Sequence, residues 1–335
     1  MFVARAPGKL VALGEYAVLD GAPALVLALD RFAEARIGPS PDEACHLTTR
    51  PPLGARAVFV PGESSGVPLL DVVTATLTPP LAWRASVDST DFFAGPHKLG
   101  LGSSAAVLCA WAGALTAFAA SHGRHVEAPT LRGLIELHRA FQGGRGSGID
   151  VAAAFTGGAL TFRLGPGGAP HVGSVRLANS VGFAGIFAGR SASTPELVAY
   201  YRAWRKAKPA EAAALLRRLT ELAEAGCAAA RGDDAAAFMA SFAEYGRGLQ
   251  ALGEAIGADI VTAEHRQIGE DAREFGVAYK VSGAGGGDLG LACSTDPEAL
   301  SAFVRSVTSR GFRVIKVSLA GRGLRVEQQA PEALS

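Results

Sequence analysis

"GLGSSAAVLCAWAGALTAFAASHG", residues 100–123, is where the sequence changes its period. Ahead of it, "FVARAPGKLVAL", "APALVLALDRFAEARI", "HLTTRP", "RAVFV" and "WRASVD" are short runs punctuated by Gly and Pro, the pattern of strands. From Ser103 or Ser104 the text is Ala-rich and apolar nearly all round until Gly123, the pattern of a buried helix. Two glycines and two serines form its entrance. Glycine lets backbone N–H groups approach a ligand closely. A helix start adds unsatisfied donors and the positive end of a dipole. Together they make an anion cradle, with Ser103 or Ser104 as the N-cap and either hydroxyl able to ligate Mg²⁺. The GxxxxGK[ST] phosphate loop is absent. Residues 100–105 do fit the loose dinucleotide pattern, but "DSTDFFAGPHK" before them is no clean strand, so a dinucleotide fold is set aside.

Working outward, "TLRGLIELHRAFQGG" (130–144) reads as a second helix stopped by Gly143 and Gly144. "GIDVAAAFTGGALTFRLG" (148–165) reads as a short helix followed by a strand. "PGGAP" (166–170) is the candidate boundary between two domains, 1–168 and 169–335. Beyond it come a strand, "VGFAGIFAG", and three amphipathic helical segments between residues 191 and 257. A second Gly-rich loop, "VSGAGGGDLG" (281–290), lies between the strand-like "FGVAYK" and "LGLAC". A helix from about Pro297 and the strands "RVIKVSL" and "GLRVE" close the chain. Strands followed by helices in each half predict a two-domain α+β protein.

Composition excludes several classes. Hydrophobic residues make up 49% and charged residues 19% of 335, so the chain can bury a core and is not disordered. Lys plus Arg is 32 against 31 Asp plus Glu, which gives no bulk reason to expect nucleic acid or an anionic membrane as partner. Cys45, Cys109, Cys227 and Cys293 form no CxxC pattern, and Cys109 and Cys293 sit in apolar runs that predict core positions. No apolar run reads as long enough to span a bilayer, and Pro7, Gly8 and Lys9 break the N-terminal segment early. The expectation is a cytoplasmic monomer or homodimer acting on a small molecule.

Two further loops carry candidate chemistry. In "APGKLVALGEYAVL" (6–19) a Pro-Gly turn is expected to expose Lys9, with Glu15 after another glycine. In "GGRGSGIDVAAAF" (143–155) Gly-rich backbone leads into a helix whose first turn holds Asp150, with Arg145 and Ser147 beside it. Three Gly-rich turns, each beside a Ser, Lys or Asp, point to a small phosphorylated ligand.

"APGKLVALGEYAVL", "GLGSSAA" and "SGAGGGD", in that order, resemble the GHMP kinases, the superfamily of galactokinase, homoserine kinase, mevalonate kinase and phosphomevalonate kinase. "KLGLGSSAA", "GSGIDVA", "GRSASTPELV" and "KVSGAGGGDLG" bring it nearest to the phosphomevalonate kinases; mevalonate kinases usually carry a further Gly where Asp288 stands. Leu289 departs from the family's frequent Cys. The resemblance implies an N-terminal domain like domain 2 of ribosomal protein S5 and a C-terminal ferredoxin-like α/β domain, with ATP and Mg²⁺ in the cleft. Gly100, Leu101, Gly102, Ser103, Ser104, Ala105 and Ala106 would wrap the ATP phosphates, and Ser104 would meet Mg²⁺. Lys9 and Asp150 would be catalytic. Glu15, Lys98, Arg145, Ser147 and Gly148 would bind substrate, as would Lys280, Ser282, Gly283 and Asp288. The implied reaction is transfer from ATP to 5-phosphomevalonate, giving 5-diphosphomevalonate. The alternatives are mevalonate kinase or another GHMP kinase with a hydroxyl acceptor, and a non-catalytic sensor that binds ATP and metabolite. Asp150 stands open as base or positioning group, and Asp288 as a Mg²⁺ contact or a partner for a neighbouring cation or hydroxyl.

Overall fold

A computed structural model describes residues 1–77, 81–144, 146–189 and 193–330. Two long strands, β1 (Phe2–Leu13) and β2 (Ala24–Pro39), pair antiparallel and form the spine of the first sheet. β3 (Cys45–Thr49), β4 (Arg56–Phe59), helix α1 (Pro68–Leu77) and β5 (Trp83–Asp88) follow. A small ribbon, β6 (Phe93–Ala94) and β7 (His97–Lys98), leads to helices α2 (Ser103–Ser121), α3 (Leu131–Phe141) and α4 (Ile149–Thr156). β8 (Ala159–Leu164) and β9 (Pro170–Val175) return to the sheet, β8 pairing with β2.

The second sheet begins with β10 (Gly182–Phe187). Helices α5 (Thr194–Ala207), α6 (Pro209–Arg231), α7 (Ala235–Ile256) and α8 (Ala263–Glu274) separate it from β11 (Ala278–Val281) and β12 (Leu289–Ser294). Helix α9 (Pro297–Ser309) and β13 (Arg313–Lys316) complete it, in the antiparallel order β11-β12-β10-β13. That order is the ferredoxin-like one, with extra helices inserted after its first strand. The chain then crosses back, and β14 (Arg325–Gln328) pairs with β1. The expected cut at 168/169 therefore falls just before a strand of the first sheet, and the first sheet draws β9 and β14 from beyond it.

The α+β expectation holds, and the buried helix is where the period change put it. α2 lies on β1 and β2 with nearly every side chain buried, Trp111, Leu108 and Cys109 among them. By length and apolarity α2 would pass as a membrane span, which corrects the expectation that no run is long enough; here it is the core helix of the first unit. All four cysteines are free and buried. Two helices went unread. α1, "PLLDVVTATL", is rich in β-branched residues that favour strands. α8, "AEHRQIGEDARE", is polar over most of its surface.

Trp111 is the keystone of this layer. It is fully buried, its ring meets Trp83 edge-on at 5.2 Å, and its indole N–H donates to Thr74 Oγ1 on α1 at 3.0 Å. Trp111→Ala should cost about 3–5 kcal/mol of unfolding free energy, because both the buried area and the cavity count against it. A urea titration followed by circular dichroism checks this, and a loss under about 1 kcal/mol would mean that the layer repacks freely.

Candidate active site

Lys9 is not in an exposed turn. Pro7 and Gly8 lie inside β1 at a register shift, where the partner on β2 jumps from Phe32 to Leu29, so that Asp30 and Arg31 bulge out of β2 opposite them. Pro lacks the N–H a regular ladder needs, so a bulge accommodates it. A Cβ on Gly8 would stand 2.7 Å from the Phe92 ring and 2.8 Å from Leu101 O, so only glycine lets the 99–102 loop lie against the strand. Lys9 N–H donates to Leu101 O at 2.8 Å. Its side chain is buried, 6% exposed for the whole residue. Its ammonium lies 3.5 Å from Asp150 Oδ1 and donates to Gly100 O at 3.4 Å.

Gly102, not a serine, occupies the N-cap of α2, at φ 78°. A left-handed residue there turns the chain so that Ser103 and Ser104 begin the helix itself, with their N–H groups in its donor-rich first turn. Ser104 Oγ meets His138 Nε2 of α3 at 3.1 Å. Burial pushes the His138 imidazole below its ordinary pKa, with Asp150 pulling it up and Lys98 pushing it further down. His138 is therefore largely neutral near pH 7. Lys98 itself is exposed on β7.

Asp150 stands in the first turn of α4, behind Gly148 at φ 90°. A Cβ on Gly148 would come 2.8 Å from Ile135, so glycine is needed both for the turn and for the packing. Ser147 Oγ accepts from Ile149 N at 3.4 Å. Arg139, which sequence reasoning missed, donates to Gly146 O at 3.0 Å and to Ser147 O at 3.1 Å and fixes this loop. Its signal was faint: an ordinary cation in the last turn of a helix. Arg145 lies outside the described residues.

The glycine loop after β11 is clamped to β1. Ser282 Oγ accepts from Val11 N at 2.9 Å and donates to Val11 O at 3.0 Å. Tyr16 OH donates to Ala284 O at 2.6 Å. Gly286 N donates to Ile260 O at 2.9 Å, and a Cβ on Gly285 would meet that same oxygen at 2.3 Å. The loop's aspartate closes the gap to the first loop: a Cβ on Gly100 would stand 2.8 Å from Asp288 Cβ, Cγ and Oδ2.

Glu15 and Lys280 form an ion pair with each other, buried from solvent, where substrate contacts were expected and a solvated Lys280 was a second possibility. Burial raises the Glu15 pKa and lowers that of Lys280, against their mutual attraction.

These elements enclose one cleft. Lys9, Asp150, Ser147, Gly148, Gly283 and Glu15 from the expected set line it, together with His138, Tyr16, Gln142 and Thr194. Val11, Val18, Leu19, Ile149 and Val198 give it an apolar wall. Lys98, Lys280, Ser282 and Asp288 are not among the residues that line it, and neither are Gly100, Leu101, Gly102, Ser103, Ser104, Ala105 and Ala106, of which Leu101, Ala105 and Ala106 are fully buried. Among the described residues no group of three or more His, Cys, Asp or Glu could hold a metal by itself. Ser104 and Asp150 are nonetheless hard oxygen donors, and a Mg²⁺ carried by nucleotide phosphates needs only one or two such protein ligands. The donor set fits that case.

The fold is that of the GHMP kinases, small-molecule phosphotransferases that use ATP. Residues 88–158 match the family described as "GHMP kinases N terminal domain". The chain thus carries that family's N-terminal domain and has the GHMP kinase fold. A phosphomevalonate kinase of Streptomyces sp. (strain CL190) is 29% identical over 342 residues, covering 87% of this chain and 89% of that protein. A mevalonate kinase of Aeropyrum pernix is 30% identical over 172 residues, 48% of this chain and 50% of that protein. The structure of Streptococcus pneumoniae phosphomevalonate kinase in complex with phosphomevalonate and AMPPNP superposes with a TM-score of 0.79 at 18% identity, over 96% of this chain and 100% of that one.

Gly100→Ala tests the contact between loops. The added methyl must displace Asp288, and φ 70° at position 100 strains any side chain. AMPPNP affinity, measured by calorimetry, should fall about tenfold or more, equivalent to at least about 1.4 kcal/mol. Unchanged affinity would separate this contact from nucleotide binding.

Proposed function

We propose that this chain transfers the γ-phosphoryl group of ATP to the phosphate of 5-phosphomevalonate, releasing ADP and 5-diphosphomevalonate. The observation that carries the proposal is the buried Lys9 ammonium, 3.5 Å from Asp150 and against the loop that opens α2. Phosphoryl transfer asks for positioning and charge stabilisation more than for covalent chemistry. The N–H groups at the start of α2, from Ser103 to Ala105, would hold the ATP phosphates, as helix starts do. His138 would keep the Ser104 hydroxyl in place. A Mg²⁺ held by Ser104 and Asp150 would screen the charge of the phosphates. Lys9 would stabilise negative charge on the transferring group, and Asp150 would hold Lys9 and the acceptor.

A phosphate monoester acceptor has a second pKa of about 6, so near neutral pH it is already a nucleophilic dianion that needs no strong base. Asp150 then acts by position. The apolar wall of Val11, Val18, Leu19 and Val198 suits the hydrocarbon part of a branched, mevalonate-like acid. The likeness to the Streptomyces protein over 87% of this chain supports the phosphorylated acceptor. In this reading the first unit, to the end of β9 with β14, supplies Lys9, Asp150 and the α2 start. The second supplies the 282–288 loop.

The second reading is a hydroxyl acceptor, as in mevalonate kinase, and a specific feature favours it. Asp150 keeps about a third of its side chain exposed in the cleft, where it can take a proton. A coupled ADP-release assay on mevalonate and 5-phosphomevalonate, side by side, separates the two. ADP release with 5-phosphomevalonate is expected, and release with mevalonate alone would overturn the proposal. Lys9→Met should lower kcat about 100-fold or more. Asp150→Asn should act more on the acceptor KM than on kcat. A kcat loss of about 10²–10⁴ would instead mark Asp150 as a general base.

A further inference from the structure

The Glu15–Lys280 pair joins two segments 265 residues apart, and neither side chain has solvent contact beyond 1%. Burying two charges costs more than their attraction returns unless other groups complete their bonding, and an apolar replacement is often as stable or more so. Lys280 is well completed. Its ammonium also donates to Val281 O at 2.7 Å and Val11 O at 3.4 Å, and it faces the rings of Phe242 and Tyr245 at 5.4 and 6.0 Å. Glu15 is less so, since its Oε2 has no protein partner. Stability alone therefore explains the pair poorly.

Its placement explains it better. Glu15 lies just past the end of β1, and its carbonyl accepts from Tyr245 OH of α7 at 2.8 Å. Lys280 is in β11, three residues before Gly283. Glu15 Oε1, which takes the Lys280 ammonium, also accepts from Gly283 N at 3.4 Å. Gly283 in turn lies over the catalytic lysine, for a Cβ there would stand 3.6 Å from Lys9 Nζ. Glu15 thus ties α7 to the turn after β1 through its main-chain carbonyl, and β11 and the first glycine of the loop to the neighbourhood of Lys9 through one carboxylate oxygen.

We infer that Glu15 and Lys280 are a positioning pair, which sets the Gly283–Gly287 loop over Lys9 and so the spacing of the two phosphate-bearing ligands. Lys280 does not line the cleft, and Glu15, which does, has only 1% of its side chain exposed, so the pair acts through the loop. Its carboxylate also offsets Lys280, so that Lys9 is left to act on the ligands. The inference rests on the proposed reading of this loop as part of the ligand cleft.

The test uses the full chain with Glu15→Gln, Lys280→Met and the double variant that carries both changes. AMPPNP affinity, kcat and KM for 5-phosphomevalonate, and the thermal midpoint are measured for each. The singles should lose about 10- to 100-fold in kcat, as small misplacements of reacting groups do. The double variant, relieved of the unpaired charge, should recover thermal stability to near wild type while kcat stays low. Its kcat loss should match the worse single and not the product of the two, since contacting residues couple. Should a single variant fail to fold, the neutral double variant alone decides. A folded double variant with wild-type kcat and AMPPNP affinity would overturn the inference, and so would losses that multiply. If the wild-type chain releases no ADP with 5-phosphomevalonate, the proposed acceptor fails, while AMPPNP binding across the same variants still tests the pair.

Discussion

A buried ammonium must have its charge met, and Lys9 is the charge around which this molecule is built. It sits on β1, shielded from water, with Asp150 and the Gly100 carbonyl as its polar neighbours. Three separate loops have to converge for that to hold. Gly8, at the register shift between β1 and β2, admits the loop that opens α2, Gly148 sets the helix that carries Asp150, and Ser282 fastens the distant glycine loop to Val11.

β1 is the common member of these contacts. It pairs with β2 on one side and β14 on the other, so the last strand of the chain closes over the first. Its C-terminal half receives the 282–288 loop from the second unit. The glycines at these meetings serve close approach more than flexibility. At Gly8, Gly100, Gly148 and Gly285 an added Cβ would lie within 2.3–2.8 Å of another part of the protein. Asp288 has the same logic. It packs against Gly100 and so brings the 282–288 loop against the loop that opens α2.

Much of this was legible in the sequence because it is local. The all-apolar "AAVLCAWAGALTAF" announces a core helix, and Gly-Leu-Gly-Ser-Ser announces its donor-rich start. What was not legible depends on pairing between remote segments. Lys9 reads as a turn residue until β2 lies beside it and takes Pro7 and Gly8 into one continuous strand. Glu15 and Lys280 read as two site charges, and only the meeting of β1 with β11 turns each toward the other. His138 reads as a packed helix residue, and its bond to Ser104 exists only once α3 crosses the start of α2. The return of β14 to β1 has no local signal, since a four-residue strand at the end of a chain can pair with any open edge.

The acceptor proposed for the Lys9–Asp150 cleft is one that already carries a phosphate. The most direct measurement is the ³¹P NMR spectrum of the reaction of this chain with ATP, Mg²⁺ and 5-phosphomevalonate. The acceptor's single monoester resonance is expected to give way to a pair of coupled diphosphate resonances as the signals of ADP grow. A monoester resonance that persists unchanged, while mevalonate under the same conditions acquires a new one, would contradict it.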